Sequence, residues 1–141
     1  MKQRAFIRKF LRGDSGAAAL EFAIVGPMMV LMILGICSYG GYFWISHSVQ
    51  QVANDAARAA MGGLDNTERS SLAQATLADE IGDYVWLTAT HATVSVVGDT
   101  NTVTVAVAYD ASHTPFWSLS GLVPMPSKTI SRSATVRLGG Y

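Results

Sequence analysis

The stretch Arg12 to Phe22 reads RGDSGAAALEF, and three patterns with different chemistry overlap in it. Arg12-Gly13-Asp14 is an adhesion tripeptide, Gly13-Asp14-Ser15-Gly16 frames a serine of the kind a hydrolase uses as nucleophile, and Gly16 precedes Glu21-Phe22, an acid at the mouth of an apolar run. A serine nucleophile needs a histidine base and an orienting acid carried to it by a folded domain. Only a short basic segment precedes Ser15, so that reading fails on length and position. The acid is different. An ionised carboxylate costs about 2.5–3.5 kcal/mol near the centre of a membrane helix and less near the headgroups, so Glu21 asks for a compensating charge.

Other chemistry-bearing residues are sparse. His47, His91 and His113 lie far apart in the sequence, and none forms a two-histidine helix pair or sits beside a cysteine. No metal site and no cofactor is expected from them. Asp79, Glu80 and Asp83 gather near a helix end, where a solvated acidic corner accounts for them, since a calcium loop needs more ligands at set spacing. The lone cysteine, Cys37, excludes an intramolecular disulfide, and bulky Ile36 before it is wrong for a lipoprotein cleavage site. No nucleophile, metal or cofactor signature marks an enzyme.

The charge distribution says where the chain resides. Ten Lys+Arg balance ten Asp+Glu, which argues against a nucleic-acid binder with a basic face. Residues 1–16 nevertheless carry Lys2, Arg4, Arg8, Lys9 and Arg12 against Asp14 alone, a net charge of plus four. From Phe22 to Ile45 there are 24 residues without a charged side chain or histidine, about 36 Å as a helix against a hydrocarbon core of about 30 Å. A membrane-spanning helix is expected, contacting lipid, with the basic side in the cytoplasm by the positive-inside rule. The RGD then lies on the cytoplasmic side, where it cannot meet an integrin. Tyr39, Tyr42, Phe43 and Trp44 cluster where the span exits and suit an aromatic interface belt.

Elements that position these residues follow from periodicity. Ile45, Val49, Val52, Ala53, Ala56 and Ala60 recur at helical spacing, so the span continues as one helix over Ala17 to Met61, about 67 Å. It should end at Gly62-Gly63, where glycine supplies left-handed backbone. Gly26 and Pro27 should kink it or melt a turn, because the proline cannot donate to the carbonyl of Ala23. A second helix is predicted from about Thr67 to Ile81, capped by Asp65 or Asn66, with Ala73, Leu77 and Ile81 on one face. The period then becomes two. Strands are expected around Val94–Val96, Val103–Tyr109 and Thr129–Leu138, the first two joined by Gly98-Asp99-Thr100-Asn101. In the third, Ile130, Ala134, Val136 and Leu138 share one face. The Pro-rich connection Asp110 to Lys128, with Phe116, Trp117, Leu122 and Met125, reads as a contact surface. The fold class is α+β. Its parts are a basic leader (1–16), a transmembrane and extended helix (17–61) and a small head (62–141) with a helix and a three-stranded antiparallel sheet.

A basic leader ending in Gly16, then Ala17-Ala18-Ala19-Leu20, then Glu21-Phe22 opening the apolar run, resembles a type IV prepilin signal of the Flp/Tad kind. The stretch from Gly16 to Ala60 is similar to the N-terminal region of TadE-like minor pilins (pseudopilins) of the Tad/Flp type IVb pilus system. Matching positions are Ala18, Glu21, Phe22, Ala23, Pro27, Gly35, Gly40, Ala56, Ala57, Arg58 and Ala60. The resemblance implies cleavage between Gly16 and Ala17 by a prepilin peptidase. It also implies that Glu21 pairs with the α-amine exposed by that cut, and that the helix engages other pilin subunits and the Tad assembly machinery. A bacterial inner-membrane location with the head outside the cytoplasm, and a role in adherence or biofilm formation, are further implications. One departure is Ser38, which stands where the family often has a second acid. The alternative from another class is an uncleaved single-pass membrane protein whose head is a binding module.

Overall fold

The computed structural model describes residues 14–139; the basic leader residues Lys2 to Arg12 and the RGD arginine lie outside the described residues. Among the described residues two α-helices and three strands follow in order: α1 (Asp14–Ala60), α2 (Asn66–Glu80), β1 (Ala92–Gly98), β2 (Thr102–Asp110) and β3 (Thr129–Arg137). The architecture is α+β, as the change of period indicates. The chain divides into two compact units, one ending at Ile36 and the other running from Cys37 to Tyr141. The last part of α1 is therefore built into the head, whereas the sequence alone suggests a head beginning at residue 62.

In the first unit α1 continues through Gly26 and Pro27 with no melted turn. The Phe22 ring lies over Gly26, at ordinary contact distance from where a β-carbon would stand. Side chains of this segment point outward: Leu20, Phe22, Ile24, Met28, Met32 and Ile36 are each at least 60% exposed, a distribution that only an apolar surrounding can stabilise.

The head is a single layer of sheet covered by helix. β1, β2 and β3 form an antiparallel sheet in that order, with Val105 opposite Val96 on one side and Ala134 on the other. Val103, Val105, Val107 and Tyr109 of the central strand are fully buried and join Ile45, Val49, Val52, Ala53, Ala56, Ala57 and Ala60 of α1 in one core. Alternation explains this: the same strand turns Thr102, Thr104, Ala106 and Ala108 to the other face, and Thr104 hydrogen-bonds Thr135 across it at 2.8 Å. A sheet with one covered face needs this two-residue pattern. Alanines at 53, 56, 57 and 60 let the helix approach closely.

α2 adds Ala73, Leu77 and the following Ile81 to the core. Its cap is Asp65, whose Oδ1 accepts from the Glu68 amide at 2.8 Å, while Glu68 Oε2 accepts from the Leu64 amide at 2.8 Å. This reciprocal arrangement satisfies donors a helix start leaves open. The end of α1 departs from expectation. Met61, Gly62 and Gly63 close it with successive i to i−3 hydrogen bonds of 3.1–3.2 Å, and neither glycine has positive φ. Gly63 is needed for space instead: a β-carbon there would stand 2.7 Å from the Arg69 amide nitrogen.

Two features of the head carry predictions. In the β1–β2 turn, Asp99 Oδ1 accepts from the amides of Asn101 and Thr102 at 2.7 and 2.6 Å, and these bonds hold its carboxyl below 3.8. Its stabilisation is therefore complete above the unfolded carboxylate range and fades as pH falls through the lower folded value. Asp99→Asn should flatten that acid limb in melts recorded across pH, with the largest loss of stability at and above neutrality and the least in acid.

The second is Tyr109, fully buried. Its hydroxyl donates to the Trp86 carbonyl at 3.0 Å, accepts from the Thr88 amide at 3.3 Å, and lies 3.2 Å from His113 Nε2. Trp86 has φ 74°, a left-handed conformation costly for a bulky residue, and Tyr109 pins the turn that contains it. Tyr109→Phe should cost about 1–3 kcal/mol by leaving buried partners unsatisfied, read as a lowered unfolding midpoint.

Candidate functional site

The site that chemistry and position single out is the start of α1. Gly16 lies in its opening turns and is exposed, with open space where a β-carbon would stand. Ala17 to Ala19 follow in regular helix, and Glu21 is exposed with no ion pair among the described residues. On a helix, positions four apart are neighbours, so an amine at residue 17 and the carboxylate of Glu21 would share one face. Phe22 is 77% exposed. The helix thus presents a small-residue start, the exposed carboxylate of Glu21 and a continuous apolar surface, fit for insertion in lipid and for packing against like helices. Among the described residues one helix is long and apolar enough to cross a membrane, Gly16–Ala60.

The head places the other candidates. His91 and His113, distant in sequence, are brought together as stacked rings 4.0 Å apart and 15° from parallel. Nothing in the sequence points to this pairing: the end of β2 and the loop after it fold back onto the turn before β1. The rings meet face to face, and among the described residues no group of three metal-binding side chains exists. The acidic corner gains Asp55 from α1. Burial first, then the charges of Asp55, Asp79 and Asp83, push the Glu80 carboxyl above 4.5.

The connection Asp110 to Lys128 contacts its own head. Phe116 covers Gly41, Trp117 is buried, and the Tyr39 hydroxyl donates to the Pro124 carbonyl at 2.6 Å. Ser38 is fully buried and its hydroxyl has no hydrogen-bond partner.

Sequence reasoning missed Arg132. It follows Ile130 on the helix-facing side of β3 and interrupts an otherwise apolar alternation. Its guanidinium donates to Ser46 Oγ on α1 and to the Ser131 carbonyl, the latter at 3.1 Å. An arginine in the apolar register of a strand was the available signal.

These features define an α+β protein with one long apolar helix of membrane-spanning length, the last part of which belongs to the folded head. Residues 16–58 match the family described as TadE-like protein, so the N-terminal segment of this chain is similar to that family. No curated protein and no solved structure matches the chain.

Proposed function

We propose that the chain is a minor pilin or pseudopilin of a Tad-type pilus, a structural subunit whose leader, residues 1–16, is removed by a prepilin peptidase. The observation that carries this reading is where the family match begins: at Gly16, the residue before the proposed scissile bond. Cleavage there converts the first residue of the apolar helix into an amine placed to neutralise Glu21. The helix then anchors the subunit in the inner membrane with the head outside the cytoplasm, and exchanges lipid for neighbouring pilin helices when the fibre grows. That exchange keeps its apolar surface out of water throughout. Adherence and biofilm formation are the roles such a fibre serves. The test is immunodetection of the subunit in pili sheared from cells: it should co-purify with them, and complete retention in the membrane fraction would favour a permanent anchor instead.

A further inference from the structure

The charge-free run ends at Ile45, and the fold delivers a cation to the turn that follows. Arg132, remote in sequence, reaches Ser46 from β3, and together with Phe43, His47 and Gln50 it lines an open groove of about 450 Å³. Among the described residues no carboxylate pairs with Arg132; the one ion pair is Arg58–Asp55. Two of its N–H groups are directed to Ser46 and Ser131, which leaves three of the five guanidinium donors. Gln50 is already committed to Asn54 and the Ser133 carbonyl, both at 3.1 Å, so it fixes the wall of the groove.

We infer that this groove binds the phosphate of an acidic phospholipid in the leaflet on the head side of the membrane. The level is right. The lipid-suited run of exposed apolar side chains goes from Leu20 to Ile36, about 25 Å of helix, the head begins at Cys37, and the aromatic residues Tyr39, Tyr42, Phe43 and Trp44 that follow suit the headgroup level. Ser46 and His47 follow within one helical turn, in the polar zone. The surroundings fit as well. Phe43 and Trp44 are 63% and 56% exposed at that level, as interfacial aromatics are. Trp86 and Leu122 are also exposed, and they belong to loops that pack beside Gly41 and Tyr39 through Phe116 and Pro124. An apolar rim with one unpaired guanidinium above it suits a phosphate carried on acyl chains, and Arg binds phosphate in bidentate fashion.

The inference rests on the membrane span and not on cleavage or fibre entry, so the uncleaved full chain serves for the test. In nanodiscs of phosphatidylglycerol and phosphatidylcholine, native mass spectrometry should find phosphatidylglycerol retained about fivefold in preference. Arg132→Gln should abolish the preference, and Arg137→Gln, on the opposite face of the same strand, should keep it. A photo-crosslinker replacing Phe43 in the chain with Arg132 intact should label phosphatidylglycerol, which keeps the test valid if Arg132→Gln does not fold. Equal retention of both lipids, equal loss in Arg137→Gln, displacement by millimolar inorganic phosphate, or crosslinking to a second protein in place of lipid would each overturn it.

Discussion

Glu21→Ala should leave membrane insertion and leader removal intact while recovery of the subunit in sheared pili falls roughly tenfold or more, the scale of an uncompensated charge transferred toward a membrane interior. Insertion depends on the 24 uncharged residues from Phe22 to Ile45 and on the basic leader, none of which the substitution touches. Processing, on the proposed reading, depends on Gly16 and the residues around the scissile bond. What the substitution removes is the single acid on an apolar surface, hence the partner of the new amine. Without it the amine itself becomes the buried, unpaired charge in a helix bundle. Glu21→Gln should behave alike, because size is kept and charge is lost, and Glu21→Asp should recover part of the incorporation. Normal recovery of the alanine variant would remove the charge pair from the account.

The second large effect is expected at Gly41. It is buried on α1 under the Phe116 ring, and a β-carbon there would fall within the ring's van der Waals envelope. Gly41→Val should therefore cost about 2–3 kcal/mol by overpacking, lowering the unfolding midpoint of the detergent-solubilised chain by roughly 8–20 °C. The cause can be isolated. Phe116→Ala is itself destabilising because it empties the same place, yet the double variant should be more stable than the sum of the two single losses implies. Simple additivity would mean that the valine acts elsewhere.

Much of the fold was legible because both periods are strong. Valines at 103, 105 and 107 can only face one side of a strand, and Asp65 with Glu68 announces a helix start. The N-terminal site proposed here needs only local chemistry, contained between Gly16 and Phe22, so the sequence can frame it without the fold. What could not be read depends on long-range encounters. Gly41 looks like one more small residue in a span until Phe116 is laid over it. His91 and His113 stack only because the chain after β2 reverses onto the turn before β1. Arg132 acquires meaning when β3 sets it beside Ser46, and the boundary of the head at Cys37, rather than after the helix, follows from the same docking of sheet on α1. Gly62 and Gly63 mark a helix end in the sequence, but the reason for Gly63 is the backbone of Arg69, which periodicity does not place.

The acid-sensitive contributions of the head have opposite signs. Asp99, held low by two amides, favours the fold at neutral pH and loses that effect as pH falls. Glu80, pushed up by burial and three like charges, favours the fold when protonated and loses that effect as pH rises through its folded value. Neither touches the N-terminal segment, so head stability and helix assembly should respond to pH independently.

The central claim is that the working subunit begins with a free amine beside Glu21. Intact-mass measurement with N-terminal sequencing of the protein taken from its native membrane tests it directly. A chain starting at Ala17 is the predicted result, and a chain still starting at Met1 would contradict the account.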